Sequence, residues 1–197
     1  TILGKEYLFH KEALVKKFCS SLSYCTIVDL GANDGHFARL LAEKDKQVIA
    51  ADIDSRCINT LYQYTKQHSL TNIIALIADL SNPSPAVGFN NAERSSLQAR
   101  LKPDLVLVLA LVHHLVIGKN IPLILLAPYF ASFAPQLIIE FVPKEDEKVK
   151  QLLSTREDIF TDYHETAFER YFLQHFTIQS KEIITGTSRI LYCLVRK

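Results

Sequence analysis

Two glycines and three carboxylates are the residues of this sequence whose types and spacing could form a ligand site. Gly31 and Gly35 fall within the string DLGANDG, which begins at Asp29. Glycine lets a backbone turn sharply and lets a ligand approach closely, although an ordinary strand-to-helix turn would use it as well. Asp52 follows Gly31 by 21 residues, and a carboxylate about 20 residues beyond a glycine turn can accept hydrogen bonds from both ribose hydroxyls. Asp79 ends the next apolar run, where a carboxylate can accept a hydrogen bond from an adenine amino group.

The apolar runs before these carboxylates predict the strands that must position them. The inner runs IVDL, IIALIA and LVLVLALV are nearly continuous in apolar residues, which is typical of strands buried on both faces of a parallel sheet. Because ligands bind at the carboxyl edge of such a sheet, Asp29, Asp52 and Asp79 are expected to lie together there. The sequence therefore predicts a nucleoside site on an α/β fold. The expected architecture is a Rossmann-like, doubly wound sheet of seven strands, mostly parallel with an antiparallel last strand.

Hydrophobic periodicity gives the order of the elements. Strands are expected at residues 26–30, 48–54, 72–78, 104–112 and 136–142, followed by a closing hairpin of 177–184 and 189–195. Helices are expected at 7–23, 37–44, 122–133, 145–153 and 165–175, with a further helix that Ser55 caps at its N-terminus. Residues 81–100 are polar and contain Pro83, Pro85 and Gly88, so they are expected to form a long loop with a short helix.

The residues of the glycine loop limit the class of ligand that the site could bind. A dinucleotide or P-loop site would use G-x-G-x-x-G or G-x-x-x-x-G-K-[ST] to hold phosphate at a helix N-terminus, and neither pattern is present. Asn33 takes the place of the second glycine, and Asp34 would repel a pyrophosphate. An acidic edge suits a ligand without phosphate and with a positive centre, such as S-adenosylmethionine with its sulfonium. A nicotinamide-binding Rossmann domain is the weaker alternative.

Composition bounds the remaining classes of function. The 197 residues predict one domain, with a helical lead-in at 1–25, a cofactor-binding core at 26–142 and C-terminal helices with a hairpin at 143–197. Lys plus Arg is 22 and Asp plus Glu is 21, so the net charge of +1 gives no strong signal for nucleic acid or an anionic membrane.

The four cysteines form no CxxC pair and show no metal-ligand spacing, which predicts a reduced, cytoplasmic protein without a metal. The uncharged run from Ile121 to Ile139 contains three prolines, which favour a buried segment over a membrane helix.

These motifs resemble those of class I S-adenosylmethionine-dependent methyltransferases. VDLGANDG at 28–35, VIAADID at 48–54 and IADL at 77–80 are similar to that family's first three motifs, and the match covers about the whole chain. The strings NPSPAVGFNNAERSSL, LALVHHLVIGKNIPL and REDIFTDY resemble a bacterial branch described as host-specific-nodulation-protein-like methyltransferases. In that branch the methyltransferase domain usually ends a longer polypeptide. An N-terminal region of the same polypeptide is therefore an expected partner.

The resemblance also implies a set of cofactor contacts. Gly31, Asn33 and Gly35 would let the methionine part of the cofactor lie on the loop, while Asp29 would reach its amino group directly or through water. The resemblance implies that Asp52 would hold the ribose and that Ile53 would lie against the adenine. Asp79 and Leu80 would bind the edge of the adenine. Leu109 and Ala110 would lie beneath the transferring methyl group.

The candidates for catalysis follow the fourth strand and lie on the fifth. Methyl transfer is an in-line displacement in which alignment does most of the work, and a base is needed only for an acceptor with a high-pKa proton. His113 and His114 could each deprotonate a hydroxyl, or could instead cap the next helix. Glu140 must either pair with a Lys or Arg or face the substrate, because buried carboxylates need partners.

The acceptor itself is not assigned by the sequence. Asn82-Pro83-Ser84-Pro85 resembles the box that binds an amino group in nucleic-acid N-methyltransferases, but it follows the third strand and not the fourth. A turn near the adenine is therefore the preferred interpretation, and a small molecule or a protein is favoured as the acceptor. The alternative is a catalytically silent S-adenosylmethionine-binding module of a longer protein.

Overall fold

A seven-stranded β-sheet forms the centre of the computed structural model, which describes residues 4–197. Residues 1–3, the start of the expected helical lead-in, lie outside the described residues. In chain order the strands are β1 Thr26–Leu30, β2 Gln47–Asp52, β3 Ile73–Ile77, β4 Leu105–Val108, β5 Gln136–Phe141, β6 Phe176–Ile183 and β7 Ile190–Arg196. They lie side by side in the order β3-β2-β1-β4-β5-β7-β6.

The pairing of the strands confirms the expected fold class. The five strands from β3 to β5 in the sheet run parallel to one another, and β7 is antiparallel to both of its neighbours. The strand order reverses between β1 and β4, since the chain builds outward from β1 first in one direction and then in the other. At such a switch point the loops after the two strands diverge and leave a crevice at the carboxyl edge of the sheet.

Helices cover both faces of the sheet. They are α1 Lys5–Ser20, α2 His36–Leu41, α3 Ser55–Gln67, α4 Leu97–Arg100, α5 Leu123–Phe133, α6 Glu147–Leu153 and α7 Glu165–Phe172, with a 3₁₀ turn at Phe89–Asn91 and a π-helix at His114–Gly118. Alternate residues of a strand point to opposite faces, so β4 places Val106 and Val108 in one core and Leu105 and Leu107 in the other. The first core includes side chains of α5 and α7, and the second includes side chains of α1 and α2.

The structure corrects some of the expected boundaries. Strand β4 ends at Val108 and not at Val112, because Ala110 leaves the extended conformation with a φ of 52°. Ser55 is the first residue of α3, and the N-cap is Asp54, whose carboxylate accepts a hydrogen bond from the backbone N–H of Arg56 at 2.9 Å. The loop at 81–100 contains the 3₁₀ turn and the short helix α4, as expected.

The uncharged segment from Ile121 to Ile139 divides into α5 and most of β5. Phe130 and Leu126 of α5 lie in the core, and so does Ile139 of β5. Within residues 4–197, the helices lack the combination of length and apolar character that crossing a membrane would need.

Candidate cofactor and acceptor site

The glycine loop connects β1 to α2 at the carboxyl edge of the sheet. Gly31, Asn33 and Gly35 all have positive φ angles, of 76°, 51° and 79°. Asparagine tolerates this left-handed conformation better than most residues with a side chain. Asn33 can therefore occupy the place that the second glycine takes in the dinucleotide pattern and still follow a left-handed loop.

Both glycines allow close packing as well as a positive φ. A Cβ atom at Gly35 would lie 2.5 Å from Cδ1 of Leu61 in α3, which is closer than real contacts permit. A Cβ atom at Gly31 would lie 3.1 Å from Cδ1 of Leu111, in the segment after β4. The loop is thus pressed against both neighbouring segments, and its backbone is the surface that a ligand would meet.

Asp52 is fixed at the end of β2 by the backbone around it. Its Oδ2 accepts a hydrogen bond from the N–H of Asn33 at 2.8 Å, and its Oδ1 accepts one from the N–H of Asp54 at 2.9 Å. A carboxylate has about four acceptor positions, so both oxygens can still accept from hydroxyl groups. The adjacent Ile53 is 54% exposed, which provides an apolar surface beside this carboxylate.

Asp79 is fixed in a similar way after β3. Its Oδ1 accepts hydrogen bonds from the hydroxyl of Ser81 at 2.6 Å and from the N–H of Ser81 at 2.8 Å. These hydrogen bonds from Ser81 lower the pKa of the Asp79 carboxyl, which is therefore ionised at neutral pH. Leu80 follows it with partial exposure.

Asp29 lies beneath the glycine loop in β1 and is buried. Burial raises the pKa of its carboxyl to about 7, and the positive charge of Lys11 opposes that rise. Among the described residues, its Oδ2 has no hydrogen-bond partner. A buried oxygen of this kind requires an explanation, and a donor or cation supplied by a ligand or a water molecule would provide one.

The segment after β4 forms the other wall of the crevice. Leu109 is buried and Ala110 is partly exposed, with its φ of 52° in a region that residues other than glycine rarely occupy. The π-helix at His114–Gly118 follows within a few residues. Strained residues and π-helices both occur preferentially at functional sites, which supports this segment as part of the site.

His113 and His114 are adjacent but differ in environment. His113 is buried, and burial together with the nearby charges of His114 and Arg189 lowers the pKa of its imidazole to about 3. Its Nδ1 has no hydrogen-bond partner among the described residues. His114 is exposed, and its ring centroid lies 4.2 Å from that of His113. Partial burial of its ring, followed by the positive charge of Lys148, lowers the pKa of the His114 imidazole as well.

Glu140 adopts the first of its two expected alternatives, pairing with basic residues. Its side chain is fully buried, with Oε2 2.6 Å from Nζ of Lys11 and Oε1 3.3 Å from Nη1 of Arg189. The hydroxyl of Tyr7 donates to Oε1 at 2.9 Å. Burial alone would raise the pKa of Glu140, but Lys11 and Arg189 outweigh it and hold that pKa below its usual value. Both oxygens of the carboxylate face a positive group, which is the structural role that the sequence offered as one alternative, and a catalytic role for Glu140 stays a prediction.

Arg189 links Glu140 to a second carboxylate. Its Nε donates to Oδ2 of Asp146 at 2.7 Å, and its Nη2 donates to Oδ1 at 3.0 Å. Asp146 is also the N-cap of α6 and accepts from the N–H of Lys148 at 2.8 Å. We call this set of five residues the buried ion network; its members are Tyr7, Lys11, Glu140, Asp146 and Arg189.

The sequence contained one signal for this network, which is Glu140 itself. A carboxylate inside an apolar strand requires a positive partner. Which residues supply the partners could not be inferred, since Tyr7 and Arg189 are separated from Glu140 by 133 and 49 positions. The expected cofactor residues, by contrast, are brought to one edge of the sheet, where they lie at or shortly after the carboxyl ends of four neighbouring strands. They are Asp29, Gly31, Asn33, Gly35, Asp52, Ile53, Asp79, Leu80, Leu109 and Ala110.

Comparison with solved structures defines the class of fold. The N-methyltransferase NodS from Bradyrhizobium japonicum WM9, in complex with S-adenosyl-L-homocysteine, superposes with a TM-score of 0.68 at 14% identity, over 96% of this chain and 87% of NodS. Magnesium protoporphyrin IX methyltransferase from Synechocystis PCC 6803, with the same compound bound, gives a TM-score of 0.66 at 18% identity, over 98% of this chain and 86% of that protein. The fold is therefore that of class I methyltransferases.

At the level of sequence, this chain is similar to nodulation protein NoeA of Rhizobium meliloti (strain 1021). The two are 38% identical over 187 residues, which is 94% of this chain and 39% of NoeA. The chain thus spans about two fifths of the length of that relative.

A second relative, an rRNA adenine N-6-methyltransferase of Bacillus licheniformis, is 31% identical over 72 residues, which is 35% of this chain and 25% of that protein. No family model matches the chain. The resemblance to class I methyltransferases and to nodulation proteins is confirmed.

Proposed function

We propose that this domain binds S-adenosylmethionine and transfers its methyl group to an acceptor. The observation that carries the proposal is the Asp52 carboxylate, which two backbone N–H groups hold beside the exposed Ile53. This arrangement matches the needs of an adenosine, with acceptors for two ribose hydroxyls and an apolar surface for a base. The fold, which is shared with the N-methyltransferase NodS, and the similarity over 72 residues to an rRNA adenine N-6-methyltransferase support the same conclusion.

The other site residues fit the remaining parts of this ligand. Asp79, ionised and fixed by Ser81, is placed to accept from the adenine amino group, with Leu80 beside it. Gly31 and Asn33 would expose backbone to the methionine part. The orphaned Oδ2 of Asp29 would receive a donor from the ammonium group, directly or through water. A cationic ligand would also favour the ionised form of Asp29, whose pKa burial raises to about 7.

The reaction requires little chemistry from side chains. The cofactor supplies a methyl group made electrophilic by a sulfonium. The protein would hold the acceptor in line with the breaking bond, and such alignment can supply up to ~7–11 kcal/mol of the acceleration. Leu109 and Ala110 would form the surface beneath the methyl and keep water away from it.

The structure limits which residues could act as a base. His113 has a pKa of about 3, which is too low for efficient proton removal near neutral pH. His114 is exposed and remains the candidate for contact with the acceptor. Because the net charge is balanced, a small molecule or a protein is the proposed class of acceptor. One relative is named as an rRNA adenine methyltransferase, so an RNA acceptor is the alternative.

Calorimetric titration with S-adenosylmethionine and S-adenosylhomocysteine tests this function. In Asp52→Ala the loss of two charge-assisted ribose hydrogen bonds should reduce the binding free energy by about 2–4 kcal/mol, which is roughly 30- to 1000-fold in Kd. The matched control is Asp54→Asn, which removes a neighbouring charge but keeps a side chain that caps helices well. Equal affinity of wild type and Asp52→Ala would contradict the proposed site. Tight binding without methyl transfer to any acceptor would favour the silent module.

A further inference from the structure

Strand β3 lies at one edge of the sheet, where β2 is its only neighbour among residues 4–197. Two of its residues, Ile74 and Ile77, are 51% and 58% exposed. An edge strand with an apolar surface and free peptide groups is a template for another strand, and proteins usually protect such an edge with charged residues, proline or a β-bulge. The edge of β3 is therefore a candidate surface for pairing with a further strand.

The opposite edge of the sheet has the protection that β3 lacks. Strand β6 contains Lys181 and Glu182, and its register against β7 shifts between Ile178 and Ser180. By contrast, residues 69–78, which include all of β3, contain neither a charged residue nor a proline. The register of β3 against β2 is regular along its whole length. Of these two edges, β3 is the one that a further strand can approach without meeting charge or an irregular register.

The hydrogen bonds between β3 and β2 identify which peptide groups of β3 face outward. The C=O of Asn72 accepts from the N–H of Val48 at 2.8 Å, and the N–H of Ala78 donates to the C=O of Asp52 at 2.9 Å. The N–H and C=O of one residue point to the same side of a strand, and that side alternates from residue to residue. The even-numbered residues of β3 therefore face β2, and the odd-numbered ones face outward. The outward-facing residues are Ile73, Ala75 and Ile77.

These three residues are arranged symmetrically about Ala75. When a second copy of β3 lies antiparallel to the first with the two Ala75 residues opposed, Ile73 of each copy lies opposite Ile77 of the other. In an antiparallel pair, opposed residues whose peptide groups face each other exchange two hydrogen bonds. The three opposed pairs would thus form about six hydrogen bonds, and every outward-facing peptide group of β3 would obtain a partner.

The side chains favour the same register. Alternate side chains of a strand point to opposite faces, so Ile74 and Leu76 share one face of the sheet. In the register centred on Ala75, Ile74 of each copy lies opposite Leu76 of the other, in a pair of the type whose side chains lie closest together. The exposed Ile77 lies opposite Ile73 in the same way. Both exposed isoleucines are then covered by apolar side chains, and no like charges are opposed.

We propose that β3 is a dimerisation surface, at which two copies of this chain pair antiparallel about Ala75 and join their sheets into one continuous sheet. The contact is isologous, because each copy presents the same strand to the other. Since the paired strands run in opposite directions, the two proposed cofactor sites lie at opposite ends of them. The proposal does not require the proposed function, and its failure would leave that function standing.

Sedimentation velocity tests for the dimer, with circular dichroism to show that each variant is folded. At roughly 0.1 mM the wild-type chain is expected to sediment as a dimer. Ile74→Lys adds a charge at a side chain that is exposed in the single chain, so the variant should fold and sediment as a monomer. Ile183→Lys is the matched control, because it places the same charge at a 63% exposed isoleucine of the other edge strand, and it should remain dimeric. A monomeric wild-type chain, or equal association of the two variants, would overturn the proposal.

Disulfide formation tests the register of the pairing. Ala75→Cys should form an intermolecular disulfide on mild oxidation, because the Cα atoms of an opposed hydrogen-bonded pair lie about 5.5 Å apart, within the reach of a disulfide. Ile74→Cys should not, because the two Cα atoms at position 74 would lie diagonally, roughly 7–8 Å apart. Both variants also carry Cys25→Ser and Cys57→Ser, since these two native thiols are not buried. A dimer that cross-links equally well from both positions, or only from position 74, would contradict the proposed pairing.

Discussion

At the scale of single residues, the site depends on backbone conformations that side chains normally avoid. Asn33 and Ala110 both have positive φ angles, and they lie on opposite walls of the crevice. Asn33 could be read from the sequence as a loop residue, because asparagine adopts this conformation readily. Ala110 could not, since the apolar run around it continued the pattern of a strand. Its conformation shows that the change from strand to loop occurs earlier than hydrophobicity indicates.

Gly35 provides a test of packing at the loop. Gly35→Ala should destabilise the protein through both its positive φ of 79° and the clash of the new Cβ with Leu61. Gly186→Ala is the matched control, because Gly186 has the same φ but no atom within 4 Å of the position that a Cβ would take. The control should lose about 1–2 kcal/mol, the cost of a left-handed alanine, and Gly35→Ala should lose clearly more. Urea unfolding measures both values, and equal losses would refute the packing argument.

Asp29 provides a test of buried charge. Its pKa is about 7 in the folded state against 3.8 for the ordinary carboxyl, so the folded protein prefers the protonated form. The stability contributed by this preference is complete below pH 3.8 and is lost as the pH rises through 7. Asp29→Asn should therefore be more stable than wild type at pH 8, by up to roughly 4 kcal/mol, with a gain that shrinks towards pH 4.

Thermal unfolding of both proteins across this pH range measures the effect. The same variant should bind S-adenosylmethionine more weakly, because it has lost the anion proposed to face the ammonium group. A stability gain that does not change with pH, or unchanged affinity, would show that Asp29 does not have the environment described.

At the scale of elements, the buried ion network attaches α1 to the rest of the domain. Lys11 and Tyr7 belong to α1, Glu140 belongs to β5, and Arg189 directly precedes β7. Buried ion pairs are often no more stabilising than apolar residues of the same size, so they are better explained by the unique arrangement that they impose. Here that arrangement fixes the first half of α1 and the N-terminus of α6 against the end of the sheet that β5 and β7 form.

Removing one member of this network should be costly. Glu140→Gln leaves two buried cations with a single carboxylate and should lower the free energy of unfolding by about 3–5 kcal/mol. Glu182→Gln is the control, since Glu182 pairs with Lys17 at 2.6 Å on the surface and such pairs contribute at most ~1 kcal/mol. Chemical denaturation of the two variants gives the comparison. A loss for Glu140→Gln no larger than that of the control would mean that the network does not hold α1.

At the scale of the whole molecule, most of the fold could be predicted from the sequence. Nearly continuous apolar runs identify buried parallel strands, and the carboxylates that follow them mark the edge where they end. The predicted positions of Asp52 and Asp79 follow from this local pattern alone. What could not be predicted depends on contacts between distant segments, such as Tyr7 with Glu140, or on the neutral, buried state of His113. Sequence periodicity contains no information about which distant charges meet.

The decisive measurement is a crystal structure of the 197-residue chain with S-adenosylhomocysteine bound. We expect the ribose hydroxyls to lie within hydrogen-bond distance of the Asp52 carboxylate. We also expect the adenine to lie over Ile53 with its amino group towards Asp79, and the sulfur to face Ala110. A ligand bound elsewhere, or bound at this edge without contact to Asp52, would contradict the proposed cofactor site.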